Sequence, residues 1–264
     1  MLKDKLSVCV VTHIVDVDTS PYLNNDMILE TVYSAHSRLN LEDVCFYVCH
    51  DARLKKSHPE LSEIYLNNLK KSFSEDRFKD INVKVLDETE ELLRGNYINI
   101  AEKCNTPYML FLEHDWEFKK DIDVHKIIDT FESVDELKYL RFQKFAQTQN
   151  DSYPSHNFWD YYYENVKGTN QLIPMTKVSF FSGNPHIIRV HSFLNEYLPK
   201  LNQFFPIERT KGTSHFEKEF YDIILSDISK FGAKRAHEIW GTFAYDNLPC
   251  QQIVSHLGDW CRKR

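Results

Sequence analysis

Residues 6–14, LSVCVVTHI, are mostly apolar and dense in valine, with polar residues on either side. A half-buried strand alternates apolar and polar side chains, whereas a run without alternation has to be covered on both faces. This segment therefore predicts an interior strand of a parallel sheet, and with it an α/β fold in which helices flank the sheet. The next segments keep to that scheme. Met27, Ile28, Thr31, Val32 and Ala35 recur at helical spacing within residues 25–39, which end before Asn40 and read as a crossover helix. Residues 43–49 read as the second strand, ending at His50 and Asp51, residues 59–73 as a helix, and residues 81–86 as an alternating third strand. A helix over 96–104 stops at Thr106 and Pro107, and YMLFL at 108–112, too short for a helix, reads as a central strand.

Strand and helix alternate through residue 118, which predicts an open, mostly parallel sheet whose ligands lie beyond the carboxyl ends of its strands. The second half is less regular. It reads as a helix over 124–135, a strand at 137–142, an aromatic-rich polar loop at 147–163, a strand at 177–181, helices over 185–197 and 215–231, and a tail from 236 to 264. No repeat, linker or low-complexity tract marks a second independent domain, so one domain over 1–264 is expected, with halves at 1–118 and 119–264.

Composition narrows the function. With 264 residues, 42% of them hydrophobic, the chain can bury a substantial core. Its 32 basic and 39 acidic residues give a net charge of -7, which argues against nucleic acid as a partner. The six cysteines, Cys9, Cys45, Cys49, Cys104, Cys250 and Cys261, form no CxxC set, and the CxxxC of Cys45 and Cys49 suits neither a zinc knuckle nor a redox pair. They are expected as reduced, buried thiols of an intracellular, cytoplasmic protein. The apolar stretch near the amino terminus is too short, and too soon followed by acids, for a signal peptide or membrane span, and no other stretch reaches spanning length.

The chemistry is concentrated at residues 110–116, LFLEHDW, where an apolar strand delivers acidic groups at its carboxyl end. Oxygens there would hold a divalent cation bridging two phosphates, because Mg2+ and Mn2+ take oxygen ligands and offset charge on a departing diphosphate. An isolated ExD is equally a solvated loop after a strand. Taken in order, however, VCVVTHI, FYVCHDA and RGNYINIAEKCNTPYMLFLEHDW resemble the GT-A fold glycosyltransferases, of the nucleotide-diphospho-sugar transferase type, over the first half of the chain. In that family the first strand ends in a loop holding the nucleotide and the second ends in an acid. A later helix carrying Asn and Ala precedes the strand with the DxD-like motif.

The resemblance implies a GT-A-like (Rossmann-like) sheet with a nucleotide-binding half at 1–118 and a less regular, acceptor-binding half at 119–264. It also implies site residues. Thr12 and His13 would line the nucleotide pocket, Asp51 would face the base or ribose, and Arg94, Gly95 and Asn96 would open a helix near the diphosphate or base. Glu113, His114 and Asp115 stand in for the DxD motif, with Glu113 and Asp115 as metal-binding acids and Asp115 as the direct ligand; His114 in the middle and Glu at 113 are departures from the pattern. His256, in VSHLGDW, matches the carboxyl-terminal His that many such enzymes supply to the metal, and an imidazole favours Mn2+ over Mg2+. His237 competes for that role.

Inverting transfer needs a carboxylate that takes the proton of the acceptor hydroxyl. KGTSHFEKE at 211–219 resembles the family's flexible loop followed by an acid that opens a helix, with Gly212 in the loop, Ser214 as N-cap and Glu217 as base. The same SxxE spacing is also that of a capping box. Asp160 and Glu219 are the alternatives. In FFSGNPHIIR at 180–189, backbone amides at Gly183 and Asn184 would line the donor sugar or acceptor site, although the segment is equally a helix-start turn. Trp159, in FWDYYY, would stack on sugar faces, with His215 as a further acceptor-site residue. The basic end WCRKR would touch diphosphate or an anionic lipid surface.

These features together predict a metal-dependent glycosyltransferase using Mn2+ or Mg2+, with a nucleotide-sugar donor, UDP before GDP, and a glycan or lipid-linked acceptor. It would have no transmembrane segment and at most peripheral membrane contact. The alternatives are a catalytically inactive GT-A-like protein that binds carbohydrate or nucleotide, and a metal-dependent hydrolase built on His114, Asp115 and His256. A nucleotidyltransferase would want a glycine-rich, basic loop after the first strand, where this chain has THIVDVDTSPY.

Overall fold

The computed structural model of the chain describes residues 1–12, 26–51, 58–87, 92–144, 163–179, 181–206, 216–247 and 251–257. It has two compact units, one of Met1–Ile122 with Ser255–Arg264 and one of Asp123–Val254.

The first unit is built on strands β1 (Leu6–Thr12), β2 (Phe46–His50), β3 (Val83–Val85) and β4 (Tyr108–Glu113), all parallel, in the spatial order β3-β2-β1-β4. Every residue of β1 is buried, as its unbroken apolar pattern requires, and β4 is buried up to its last residue, Glu113. Between the strands run α1 (Asp26–Arg38), α2 (Pro59–Phe73) and α3 (Leu92–Lys103). Pro59 starts α2, where its missing N–H costs nothing. Strand β2 begins at Phe46, not 43, because Asn40 and Asp43 both take positive φ in the turn after α1. After β3 the chain crosses to the far side of β1, so the strand order reverses between β1 and β4. In open α/β sheets that reversal opens a crevice at the carboxyl ends of the two strands. A short strand, β5 (Trp116–Phe118), follows β4 and pairs with β11 (Val254–His256) near the end of the chain. Neither was expected from the sequence.

The second unit opens with α4 (Val124–Ser133), capped by the Asp123 side chain, which accepts from the Lys126 N–H at 3.0 Å. Its sheet has the order β9-β6-β10-β8-β7, formed by β6 (Tyr139–Arg141), β7 (Tyr163–Val166), β8 (Met175–Val178), β9 (His186–Arg189) and β10 (Thr242–Tyr245). The β6–β10 pair is parallel and the other pairs are antiparallel. The expected helix over 185–197 is corrected here. Its first residues form β9, because Ile187 and Ile188 are buried and β-branched and pair with Leu140 and Tyr139. Helical structure begins only at α5 (Val190–Ser192), passes through a π-helical turn at Phe193–Tyr197 and continues as α6 (Leu198–Phe204). The Arg189 guanidinium closes the carboxyl end of α4, donating to Leu137 O at 2.7 Å, to Val134 O at 3.0 Å and to Phe131 O. Helix α7 (Phe216–Phe231) is followed by α8 (Ala233–Trp240), and the described residues of the expected tail hold the end of α8 with β10 and β11. Phe181 stacks on Phe220 with centroids 4.1 Å apart, and Phe216, Tyr197 and Trp240 extend this aromatic core.

Cys9, Cys49 and Cys104 are free, buried thiols and Cys45 is a free, partly exposed one; Cys250 and Cys261 lie outside the described residues. Burial pushes the Cys9 thiol up, with Cys49 beside it adding to the shift. Among the described residues, no helix is long and apolar enough to cross a membrane.

Gly241 ends α8 at φ 55, its N–H donating to His237 O at 2.6 Å, and its carbonyl accepts from Lys138 N and Tyr139 N. A Cβ at this position would sit 2.2 Å from Glu136 O. Gly241→Ala is therefore expected to lower the unfolding free energy by about 2 kcal/mol or more, read by urea denaturation; a loss below about 0.5 kcal/mol would contradict this packing.

Candidate functional site

The carboxyl edge of the first unit collects the polar side chains that its apolar strands exclude. Register sets Thr12 beside His50 and Val11 beside Glu113, and the Asp51 N–H donates to Thr12 O at 2.9 Å. Because β3 and β4 are parallel, α3 runs back between them, which brings its amino-terminal turns, with Arg94 and Asn96, to this same edge. Tyr97 follows at once and packs on Phe111 of β4, centroids 4.2 Å apart. Thr12, His50, Asp51, Arg94, Asn96 and His114 are all 6% exposed or less. Burying so many polar groups in one place carries a desolvation cost, which is characteristic of a preformed polar site.

Two of these contacts involve residues that the sequence did not flag. The Thr12 hydroxyl and the Tyr65 hydroxyl lie 2.6 Å apart, so the side chain expected to line a nucleotide pocket is engaged with α2. Burial pushes Tyr65 up to about 12, and the hydrogen bond to Thr12 opposes part of that shift. The His50 ring packs against Tyr65 at 5.4 Å. Tyr65 was hidden within an amphipathic helix pattern. His50 was read only as the end of a strand.

Past Glu113 the chain turns through His114 and Asp115 into β5. Asp115 Oδ2 lies 2.8 Å from His256 Nε2, and Asp115 O accepts from the Leu257 N–H at 2.7 Å. The Trp116 ring meets the imidazole of His256 edge-on at 5.2 Å. Asp115 and His256, paired from sequence as metal ligands, are therefore brought together. At 2.8 Å the carboxylate oxygen and the imidazole nitrogen are in direct ion-pair contact, so a cation bound by both would have to replace that contact. Among the described residues, no three His, Cys, Asp or Glu side chains form a cluster able to hold a metal, so Glu113 is not gathered with the pair. An ion here would complete its shell from phosphate oxygens and water, as Mg2+ commonly does.

The competing His237 is committed elsewhere. It is buried in the second unit, with Nδ1 3.1 Å from Glu136 Oε1 and Nε2 2.9 Å from Thr242 O.

In that unit, Glu217 stands in the first turn of α7 and its Oε1 accepts from the Gly183 N–H at 2.9 Å. Glu219, two residues on, is buried. Around Gly183 the turn is tied down from several sides. The Tyr139 hydroxyl donates to Ser182 O at 2.6 Å and accepts from Ser182 N at 3.1 Å. The Asn184 N–H donates to Ser182 Oγ and its side chain to Phe142 O, both at 3.3 Å. The amides at 183 and 184, read from sequence as ligand-facing, are thus used within the protein. His13, Trp159, Asp160 and His215 lie outside the described residues.

No protein-family model matches the chain, and no curated protein matches it. Solved structures do. A cytidylyltransferase from Leptospira borgpetersenii aligns with 11% identity and a TM-score of 0.39, over 97% of this chain and 83% of its own. S. aureus TarS 1-349 in complex with UDP-GlcNAc aligns with 10% identity and a TM-score of 0.43, over 73% of this chain and 47% of its own. The glycosyltransferase GlyE of Streptococcus pneumoniae TIGR4 aligns with 11% identity and a TM-score of 0.41, over 96% of this chain and 54% of its own.

His186 gives a pH test of the second unit. Its Nδ1 lies 2.7 Å from Asn184 O, an acceptor, so Nδ1 carries a proton. Burial lowers its pKa from 6.5 to about 3, with the Asn184 hydrogen bond opposing. Between those two values the unfolded chain binds a proton that the native protein does not. Stability is therefore highest above 6.5 and falls as pH drops toward 3, by up to about 1.4 kcal/mol per pH unit for this proton. NMR of the folded protein at pH 5 should find the neutral Nδ1–H tautomer; titration near 6.5 would contradict the burial.

Proposed function

We propose that the chain is a metal-dependent glycosyltransferase that moves a sugar from a nucleoside-diphosphate donor, UDP before GDP, to a hydroxyl of a glycan or lipid-linked acceptor. The observation that carries this proposal is the meeting of Asp115 and His256 at 2.8 Å beyond the carboxyl end of β4, at the switch point of a parallel sheet whose edge buries polar side chains.

Each residue has a role that follows from its chemistry. Asp51 accepts from the ribose or base. Arg94 and Asn96, near the amino end of α3, face the diphosphate or base, where a guanidinium and a helix amino terminus both favour negative charge. Asp115 and His256 hold Mn2+, which when bound offsets charge on the leaving diphosphate. In the transfer, the acceptor oxygen bonds to the anomeric carbon while the bond from that carbon to the β-phosphate oxygen breaks. The nucleoside diphosphate leaves with the bonding electrons, and the acceptor proton passes to a carboxylate. Glu217 is the carboxylate assigned. Its Oε1 accepts from the Gly183 N–H at 2.9 Å.

Melting temperature, measured with UDP, GDP, CDP and dTDP in EDTA, Mg2+ or Mn2+, tests the donor site, because binding to the native state stabilises it. A Mn2+-dependent rise with one nucleotide is expected, and Asp115→Ala should abolish it while unfolding stays cooperative. No rise with any pair, or an unchanged rise in Asp115→Ala, would overturn the assignment. A rise without turnover in an acceptor screen would favour the inactive nucleotide-binding alternative. For the base, Glu217→Gln retains an oxygen for the Gly183 amide and removes the proton acceptor. It should cut transfer by roughly 10²-fold or more at unchanged donor affinity, and near-normal turnover would leave Glu217 a structural role only.

A further inference from the structure

Helix α1 was read from the sequence as a cover for the sheet, and Thr31 as one of the residues on its buried face. In the structure that face carries a polar stripe. Thr31 and Ser34 are buried, at 0% and 5% exposure, and Arg38 continues the row one turn on. Each has a partner in the segment that leaves β4. Thr31 Oγ1 donates to His114 O at 2.8 Å, and Ser34 Oγ accepts from the Phe118 N–H at 3.2 Å while donating to Thr31 O. Arg38 O accepts from the Ile122 N–H at 2.9 Å, and Arg38 Nη1 reaches Asp121 Oδ1 at 3.0 Å. Residues 31, 34 and 38 on one side of the helix thus meet 114, 118 and 121–122 in matching order.

The first of these bonds falls at a sensitive place. His114 O belongs to the peptide unit that joins His114 to Asp115, so the Thr31 hydroxyl fixes the plane from which the Asp115 side chain departs. Asp115 in turn meets His256 Nε2 through Oδ2 and the Leu257 N–H through its carbonyl. A ligand set held by two side chains depends on the angle of each, and groups that orient metal ligands commonly change metal affinity by 10–100-fold when removed.

We propose that Thr31, supported by Ser34, is a positioning residue for Asp115, and that α1 sets the geometry of the acidic turn through these two hydroxyls. The inference rests on the role given to Asp115 above. It assigns α1 a part in the donor site that its apolar pattern did not signal.

Thr31→Val preserves the side-chain shape and removes the hydroxyl, whereas Thr31→Ser keeps it. In the full chain, Mn2+ uptake in the presence of UDP, read by the electron paramagnetic resonance of free Mn2+, should weaken about 10-fold in Thr31→Val and recover in Thr31→Ser. Amide exchange of Leu257, which reports on Asp115 O without any metal, should quicken in Thr31→Val, while that of Val8, bonded to Cys45 O, stays at its native rate. Unchanged exchange at Leu257 in Thr31→Val overturns the proposal. If the native chain takes up no Mn2+ with UDP, the donor-site assignment has failed, and Leu257 exchange still decides the role of Thr31. Should Thr31→Val not fold, Ser34→Ala removes the second clamp, and the same two measurements apply with the same expected direction.

Discussion

Strand β1 pairs in parallel with β2 on one side and with β4 on the other, and its seven residues are all buried. A strand covered on both faces cannot present polar chemistry along its length, so reactive side chains are displaced to where the strand stops. Register then decides which of them meet. With Thr12 level with His50, and Val11 with Glu113, the carboxyl ends of three strands deliver polar residues to one edge. The crossover helix α3 adds Arg94 and Asn96 to that edge for the topological reason that a parallel connection must return. The polar edge follows from this pairing more than from any single motif.

The turn after β4 is shaped from three directions. The pairing of β4 with β1 brings Glu113 to the edge, the Thr31 hydroxyl holds the peptide unit before Asp115, and β11 delivers His256 to its carboxylate. The Trp116 ring meets the His256 imidazole edge-on, with centroids 5.2 Å apart.

Much of this was legible in the sequence where pattern and environment coincide. The valine-dense run marked β1 and YMLFL marked β4, with Glu113 at its carboxyl end. Tertiary pairing hid the rest. HIIRVHSFL has the spacing of a helix, yet Ile187 and Ile188 are taken up by β6, and the helix waits until Val190. Strand β5 is three residues long and gains its identity from pairing with a segment near the opposite end of the chain, which no local window can sense. Thr31 and Tyr65 sat in amphipathic helices where a hydroxyl reads as tolerated, although each makes a buried hydrogen bond at the site. Glu217 carried the spacing of a capping box, but the partner found for it is the distant amide of Gly183. Within the second unit, Tyr139 and Arg189 close turns and helix ends.

The central claim is that the carboxyl edge of the first unit binds a nucleoside diphosphate through a cation at Asp115 and His256. Substoichiometric Mn2+ added with UDP to the isotopically labelled protein tests this most directly, because a paramagnetic ion broadens the resonances nearest to it. The account predicts that Asp115, Trp116, His256 and Leu257 broaden first, that Thr12 and Asp51 follow, and that the effect disappears without nucleotide or in Asp115→Ala. Broadening centred on any other part of the chain, or spread evenly over its surface acids, would contradict it.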